Sequence, residues 1–160
     1  MTYNPTHMSG SLQIGTLQGP VSPVFTNITA GNNQSYYMWL TPNLLYVYGS
    51  FSCGSPQAGF CVTAPNSGGF NTGHSIDKTK AAPGGVGATA VGFWYTVQTG
   101  AGTAMGTKSG VIYCDGSAAN LNFTSGGTAG SGWFNGTAYN ANNIFVSGDF
   151  VSYWYIVPML

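Results

Sequence analysis

A chain of 160 residues is long enough for one domain with its own hydrophobic core. Charged residues make up only 4% of it, three lysines and three aspartates whose charges cancel. Because no charged cluster is present to attract phosphates or anionic lipids, this composition argues against nucleic-acid partners and against electrostatic attachment to a membrane. With 43% hydrophobic and 14% aromatic residues, the chain is expected to fold.

The first ten residues show no apolar periodicity, so we expect residues 1–10 to be a flexible segment and residues 11–160 to be a single domain. No charged region is followed by the apolar core of a signal peptide, and no apolar run approaches the roughly 18 residues of a membrane span. Neither a signal peptide nor membrane insertion is therefore expected.

Several short stretches have the alternating pattern of β-strands. Residues 36–40 read Tyr-Tyr-Met-Trp-Leu and are apolar on both faces, whereas residues 45–53 alternate between an apolar and a polar face. Residues 90–97 and 119–124 alternate in the same way, and residues 110–115 and 143–146 are shorter strand candidates. The predicted inward-facing residues are Leu45, Val47, Phe51, Val91, Phe93, Leu121, Phe123, Ile144 and Val146.

The last stretch, residues 150–157, is again apolar or aromatic on both faces. In a small sandwich only one face of a sheet meets the core, so the second face is expected to contact another subunit. The alternative is a central strand covered by long loops. The predicted interface residues are Tyr37, Trp39, Tyr153, Trp154 and Tyr155.

No stretch of the sequence repeats apolar residues at helical spacing over about 11 positions, and clusters of glycine, proline and asparagine interrupt each short run. Short strands separated by glycine-rich loops are typical of all-β domains. We therefore predict an all-β fold, an antiparallel β-sandwich of jelly-roll type with glycine-rich loops and essentially no helix.

The three cysteines, Cys53, Cys61 and Cys114, cannot all pair within the chain, and their spacing is not that of a metal site. We expect buried free thiols, which fits assembly in a reducing cytoplasm. A disulfide between Cys53 and Cys61 is the alternative.

Few residues are available for catalysis, since the chain has only three carboxylates and two histidines. His74 and Asp77 flank Ser75, but they lie in a glycine-rich loop without the turn motif of serine hydrolases. Asp115 and Asp149, the other plausible pair, both fall in turns. We therefore expect no catalytic residues and no enzymatic activity.

Metal binding meets the same shortage, because His7 and His74 are far apart and the cysteines are dispersed. No metal and no cofactor is expected. A site on the axis of an oligomer, with one histidine from each subunit, is the alternative.

A loop at residues 130–140 combines aromatic side chains with asparagine and threonine between glycines. Aromatic rings cover the apolar face of a sugar while amides bond its hydroxyls, so this composition suits a shallow binding site. The alternative is that Trp133 and Phe134 point into the core. The predicted ligand-binding residues are Trp133, Phe134, Asn135, Tyr139 and Asn140, with Phe70, Asn71 and His74 in an earlier loop.

Four motifs in order resemble the C-terminal receptor-binding, or head, domains of bacteriophage tail fibres and related virion fibres. They are VYGSF at 47–51, a strand ending in proline at 60–65, GVIYCDG at 110–116 and the closing aromatic strand at 148–153. The family usually has leucine before that proline, where this chain has Ala64.

This resemblance implies a β-sandwich that forms a homotrimer, is assembled in the host cytoplasm and is mounted on a virion among other virion proteins. It also implies adhesion to a glycan or protein of the host surface. The alternative function is that of a structural virion protein, such as a head-decoration protein or a capsid jelly roll, whose aromatic faces make only subunit contacts.

Overall fold

The computed structural model describes residues 14–59, 61–65, 73–82, 89–98, 108–114, 120–124 and 141–160. In these residues the chain is almost entirely antiparallel β-structure, with no helix of seven or more residues. The prediction of an all-β, sandwich-like fold is therefore confirmed. The strands are β1 Gln18–Val21, β2 Phe25–Thr26, β3 Ile28–Thr41, β4 Leu44–Pro56, β5 Val62–Thr63, β6 Thr89–Gln98, β7 Ser109–Cys114, β8 Leu121–Phe123 and β9 Phe150–Pro158, and the helical turns are α1 Lys78–Ala81 and α2 Ala141–Ile144.

The strands form one curled sheet in the order β1-β3-β4-β9-β6-β7-β8-β5-β2. Strands β2 and β3 lie near opposite ends of this order, yet only Asn27 separates them along the chain. Asn27 has a φ of 59°, a left-handed conformation that asparagine tolerates better than most residues. This corner requires the sheet to curl, and the concave side of the curl encloses the core.

Aromatic side chains from distant parts of the chain fill that core. Phe25 of β2 lies 4.6 Å from Phe51 of β4, measured between ring centroids, and Phe123 of β8 lies 5.7 Å from Tyr153 of β9. Phe145, just after α2, lies 5.8 Å from Phe51. Six of the predicted inward residues are buried as expected, namely Leu45, Val47, Phe51, Leu121, Phe123 and Ile144.

The prediction for β6 had the two faces of the strand reversed. Phe93 is 48% exposed and Val91 is only partly buried, whereas Trp94 and Thr96 are buried. The Trp94 ring packs 4.9 Å from that of Phe145, and its Nε1–H donates a 2.8 Å hydrogen bond to the Thr124 carbonyl oxygen. Because Trp94 finds both an apolar pocket and a hydrogen-bond acceptor inside, its face turns inward.

Two smaller predictions were also wrong. Residues 143–146 do not form a strand: α2 ends at Ile144, the Phe145 N–H donates to the Ala141 carbonyl, and Val146 is 47% exposed. Four residues are too few for periodicity to distinguish a helical turn from a strand. In the region of β8, Asn122 and Thr124 were expected on a polar face but are buried together with Leu121 and Phe123.

None of the three cysteines forms a disulfide and all three are buried, as expected. Burial, with a smaller contribution from the Asp149 charge, raises the pKa of Cys53 to about 11. Burial also raises the pKa of Cys61 well above its usual value. Residues 1–10, predicted to be a flexible segment, lie outside the described residues.

Candidate functional site

The convex face of the sheet carries large aromatic side chains on four neighbouring strands. Alternate residues of β3, β4, β9 and β6 point away from the core. The strand register places Tyr36 opposite Tyr48, Tyr48 opposite Trp154, and Trp154 opposite Phe93. These four residues form a line across the strands, which we call the aromatic row.

Rings of the aromatic row contact one another in pairs and remain open to solvent. Tyr36 and Tyr48 are stacked with centroids 5.5 Å apart, and Phe93 lies 5.6 Å from Trp154 at a tilt of 47°. Tyr48 is 36% exposed and Trp154 is 37% exposed. The row therefore offers ring surface to a ligand on the outside of the domain.

A polar row lies next to the aromatic row, displaced from it by two residues along each strand. Gln34 lies opposite Ser50, Ser50 opposite Ser152, and Ser152 opposite Tyr95. Together these residues provide an amide, two hydroxyls and a phenol as hydrogen-bonding groups, of which the Ser152 hydroxyl donates to the Gly49 carbonyl oxygen at 3.5 Å and can still accept. On the other side of the aromatic row, Met38, Tyr46 and Ile156 continue the register as an apolar row.

None of these three rows contains a charged residue. The five charged side chains of the described residues lie elsewhere: Asp77, Lys78 and Lys80 at α1, and Lys108 and Asp149 in a partly buried contact. Ionic attraction therefore contributes little to binding at this face, and neutral ligands suit it best.

A buried hydrogen bond links the strands beneath this face. Beneath it, Ser35, Gly49 and Tyr153 lie opposite one another on β3, β4 and β9. A buried hydrogen bond joins the Ser35 hydroxyl to the Tyr153 hydroxyl across Gly49, which has no side chain to obstruct it. This bond ties together three of the strands that carry the aromatic row.

Seven of the predicted ligand-binding residues lie outside the described residues: Phe70, Asn71, Trp133, Phe134, Asn135, Tyr139 and Asn140. The eighth, His74, is half-buried. Its Nδ1 is hydrogen-bonded to the Leu160 carbonyl oxygen, and its ring lies edge-on to Trp39 at 5.4 Å. The Leu160 N–H in turn donates to the Ser75 backbone carbonyl oxygen at 2.8 Å. His74 therefore helps to hold residue 160 against the domain.

The predicted subunit interface needs correction, because the core takes most of its residues. Tyr153, Tyr155 and Trp39 are buried within this chain, so their side chains do not form a surface for a partner. Tyr37 packs against the core and donates to Gln18 at 2.9 Å. Only Trp154, of the five, lies on the outer face.

The acidic residues considered for catalysis have structural contacts. Asp77 caps α1: it accepts hydrogen bonds from Thr79 at 2.6 Å and from the Lys80 N–H, and it pairs with the Lys80 ammonium at 2.9 Å. The hydrogen bond from Thr79, followed by that from Lys80, lowers the pKa of Asp77 to about 2. Asp149 is fully buried, pairs with Lys108 at 2.7 Å and accepts from the Val146 N–H. Asp115 lies outside the described residues.

Two further observations apply to the part of the chain that the structure describes. It contains no group of three or more histidine, cysteine or acidic residues that could hold a metal ion. Nor does it contain a helix long and apolar enough to cross a membrane.

No family model, curated protein or solved structure matches this chain. The candidate site therefore depends on the geometry of its own residues. Sequence reasoning missed Tyr36, Tyr48 and Phe93 as site residues. A signal was present in β4, where Tyr46 and Tyr48 occupy the face predicted to be polar. Large aromatic side chains on a solvent-facing strand are a sign of a binding surface.

Proposed function

We propose that this chain is a non-catalytic binding domain of a virion fibre tip, which adheres to a neutral glycan or a protein on the host surface. The observation that carries the proposal is the exposed aromatic row on an uncharged sheet face. Aromatic side chains provide large, rigid contact areas, and neighbouring hydroxyls and amides give specificity.

The virion setting rests on the resemblance of four sequence motifs to phage fibre heads. Gly49, in the first motif, lies where the Ser35–Tyr153 hydrogen bond crosses β4. The packing of this chain therefore requires a glycine at that position of the motif. Three buried cysteines without a disulfide fit assembly in a reducing host cytoplasm. A homotrimer and contacts to other virion proteins belong to the same proposal.

A structural virion protein is the second candidate function. It is favoured by the apolar row, since Met38, Tyr46 and Ile156 extend the apolar surface beyond the aromatic rings. In a head-decoration or capsid protein this surface would be covered by a neighbouring subunit and would bind no host molecule.

The two functions are separated by an adsorption experiment. The purified full chain, fluorescently labelled, is mixed with a panel of bacterial strains at about 0.05 M and about 1 M salt. A fibre tip should adhere to some strains, block infection of those strains and adhere almost equally at both salt concentrations, because the face has no charges to screen. Failure to adhere to any strain, together with failure to block infection, would refute the proposal.

A further inference from the structure

We infer that the aromatic row is a carbohydrate platform, on which a linear, neutral oligosaccharide lies across β3, β4, β9 and β6. The inference rests on the proposed adhesive function and names the ligand class and the residues that hold it. Its basis is the position of the aromatic row directly beside the polar row, with no charge in either.

The dimensions of the two rows fit an oligosaccharide better than a single sugar. Neighbouring strands lie about 4.8 Å apart, so four residues in register across four strands span about 14 Å. Side chains on one face repeat about every 6.8 Å along a strand, which is the separation of the two rows. A sugar chain over Tyr48 and Trp154 would therefore bring hydroxyl groups along one edge close to Ser50 and Ser152.

The chemistry of the rows matches the two kinds of surface on a sugar. The C–H face of a pyranose ring is apolar and packs on aromatic side chains. The hydroxyls at its edges need donors and acceptors, and the polar row supplies both. An acidic sugar would lose water around its carboxylate without gaining a cationic partner in these rows, which is unfavourable. Neutral sugars are therefore preferred.

A second copy of the chain fits this surface less well. The three more exposed rings of the aromatic row are each between about a third and a half exposed. With roughly 200 Å² for each aromatic side chain, these three rings offer roughly 240 Å². A stable protein interface needs about 800 Å² from each partner. The aromatic row alone is thus of the size that a short oligosaccharide covers. A second copy would also have to cover the polar row, whose amide and hydroxyl groups would then need hydrogen-bond partners across the interface.

The test measures binding of neutral hexasaccharides to the full chain. Binding is measured by titration calorimetry. The neutral probes are cellohexaose, maltohexaose, mannohexaose and chitohexaose, and hexagalacturonate is the acidic control. We expect at least one neutral probe to bind and the acidic probe not to bind. Trp154→Ala and Tyr48→Ala should each weaken binding at least about tenfold, while Trp154→Phe should retain most of it.

The matched control is Val146→Ala, because Val146 is also on the surface but lies outside the three rows. It should bind the probe as the natural chain does. Every variant should unfold cooperatively with a melting temperature above the temperature of the binding assay, so that lost binding is not lost folding. Binding of no neutral probe at millimolar concentration, or binding that Trp154→Ala leaves unchanged, would overturn the platform.

The same variants distinguish failure of the platform from failure of the adhesive function. If the chain adheres to cells but Trp154→Ala adheres equally well, the adhesive function stands and the platform is wrong. If sugar binding depends on Trp154 but no strain is bound, the platform stands and the fibre-tip function is wrong. If Trp154→Ala turns an oligomer into a monomer without changing sugar binding, the face is a contact between copies of the chain and the platform is wrong.

Discussion

Gly49 should be one of the residues most sensitive to a small substitution. A Cβ atom at this position would lie 2.7 Å from the Gln34 carbonyl oxygen, 2.8 Å from the Ser35 Cβ and in overlap with the Ser35 Oγ. Real Cβ contacts are not this short, and two of the three obstructing atoms belong to the backbone or its first side-chain carbon. Gly49→Ala must therefore push β3 and β4 apart or displace the Ser35 hydroxyl.

The expected loss of stability has two parts. Displacing the Ser35 hydroxyl breaks its bond to the buried Tyr153 hydroxyl, and an unsatisfied buried polar group costs about 1–3 kcal/mol. Overpacking of a well-filled interior costs a further 1–3 kcal/mol, so the total is about 2–6 kcal/mol. At roughly 2–4 °C for each kcal/mol in a domain of this size, the melting temperature should fall by roughly 4–24 °C.

Urea unfolding followed by tryptophan fluorescence measures this loss. Gly31→Ala is the control, because its nearest obstruction at 2.8 Å is the Ser52 hydroxyl, which can rotate away. It should change the free energy of unfolding by less than about 1 kcal/mol. In Ser35→Ala, the Gly49→Ala change should cost at least about 1 kcal/mol less than in the natural chain. A Gly49→Ala protein within about 0.5 kcal/mol of the natural chain would refute this reasoning.

Three other predictions concern the core and the charges. In urea unfolding, Trp94→Phe should destabilise the domain by about 1–3 kcal/mol, because it removes a buried hydrogen bond. Phe93 is half-exposed, so Phe93→Ala should cost less than about 1 kcal/mol. The reverse order would contradict the observed face of β6. Asp149→Asn leaves Lys108 without its buried partner and should cost about 1–3 kcal/mol of unfolding free energy. Adding Lys108→Met should recover part of that loss. A double variant whose loss equals the sum of the two single-variant losses would contradict the pairing. The folded-state pKa of Asp77, about 2, lies below its usual 3.8, so its stabilising effect is complete above about pH 4 and is lost as the pH falls through about 2. The melting temperature of Asp77→Asn should therefore depend less on pH across that range than that of the natural chain. If the two proteins show the same change of melting temperature with pH, the Asp77 cap is not the cause.

The candidate site was only partly visible in the sequence. The tyrosines of β4 on a predicted polar face indicated an unusual surface, and the aromatic residues at 150–157 indicated that both faces of that strand are used. The aromatic row itself depends on register. Tyr36, Phe93 and Trp154 are far apart along the chain, and only the pairing of β3 with β4, and of β9 with β4 and β6, brings them into line.

By itself the sequence determined the local properties of this protein. Alternation with a period of two identifies strands, missing helical periodicity excludes long helices, and the scarcity of charge is a matter of composition. The inward face of β4 was also predictable, because polar Ser50 and Ser52 occupy only its other face.

Only the tertiary structure decided which face of β6 is buried and what the second face of β9 does. Both sets of alternate residues in β6 include a large aromatic side chain, so periodicity could not choose between Phe93 and Trp94. The choice depends on partners from elsewhere in the chain, the Phe145 ring and the Thr124 carbonyl, which surround the indole of Trp94. In β9 the curled sheet takes Tyr153 and Tyr155 into the core and leaves Trp154 outside, since a strand inside a curled sheet has one face toward the core and one toward solvent.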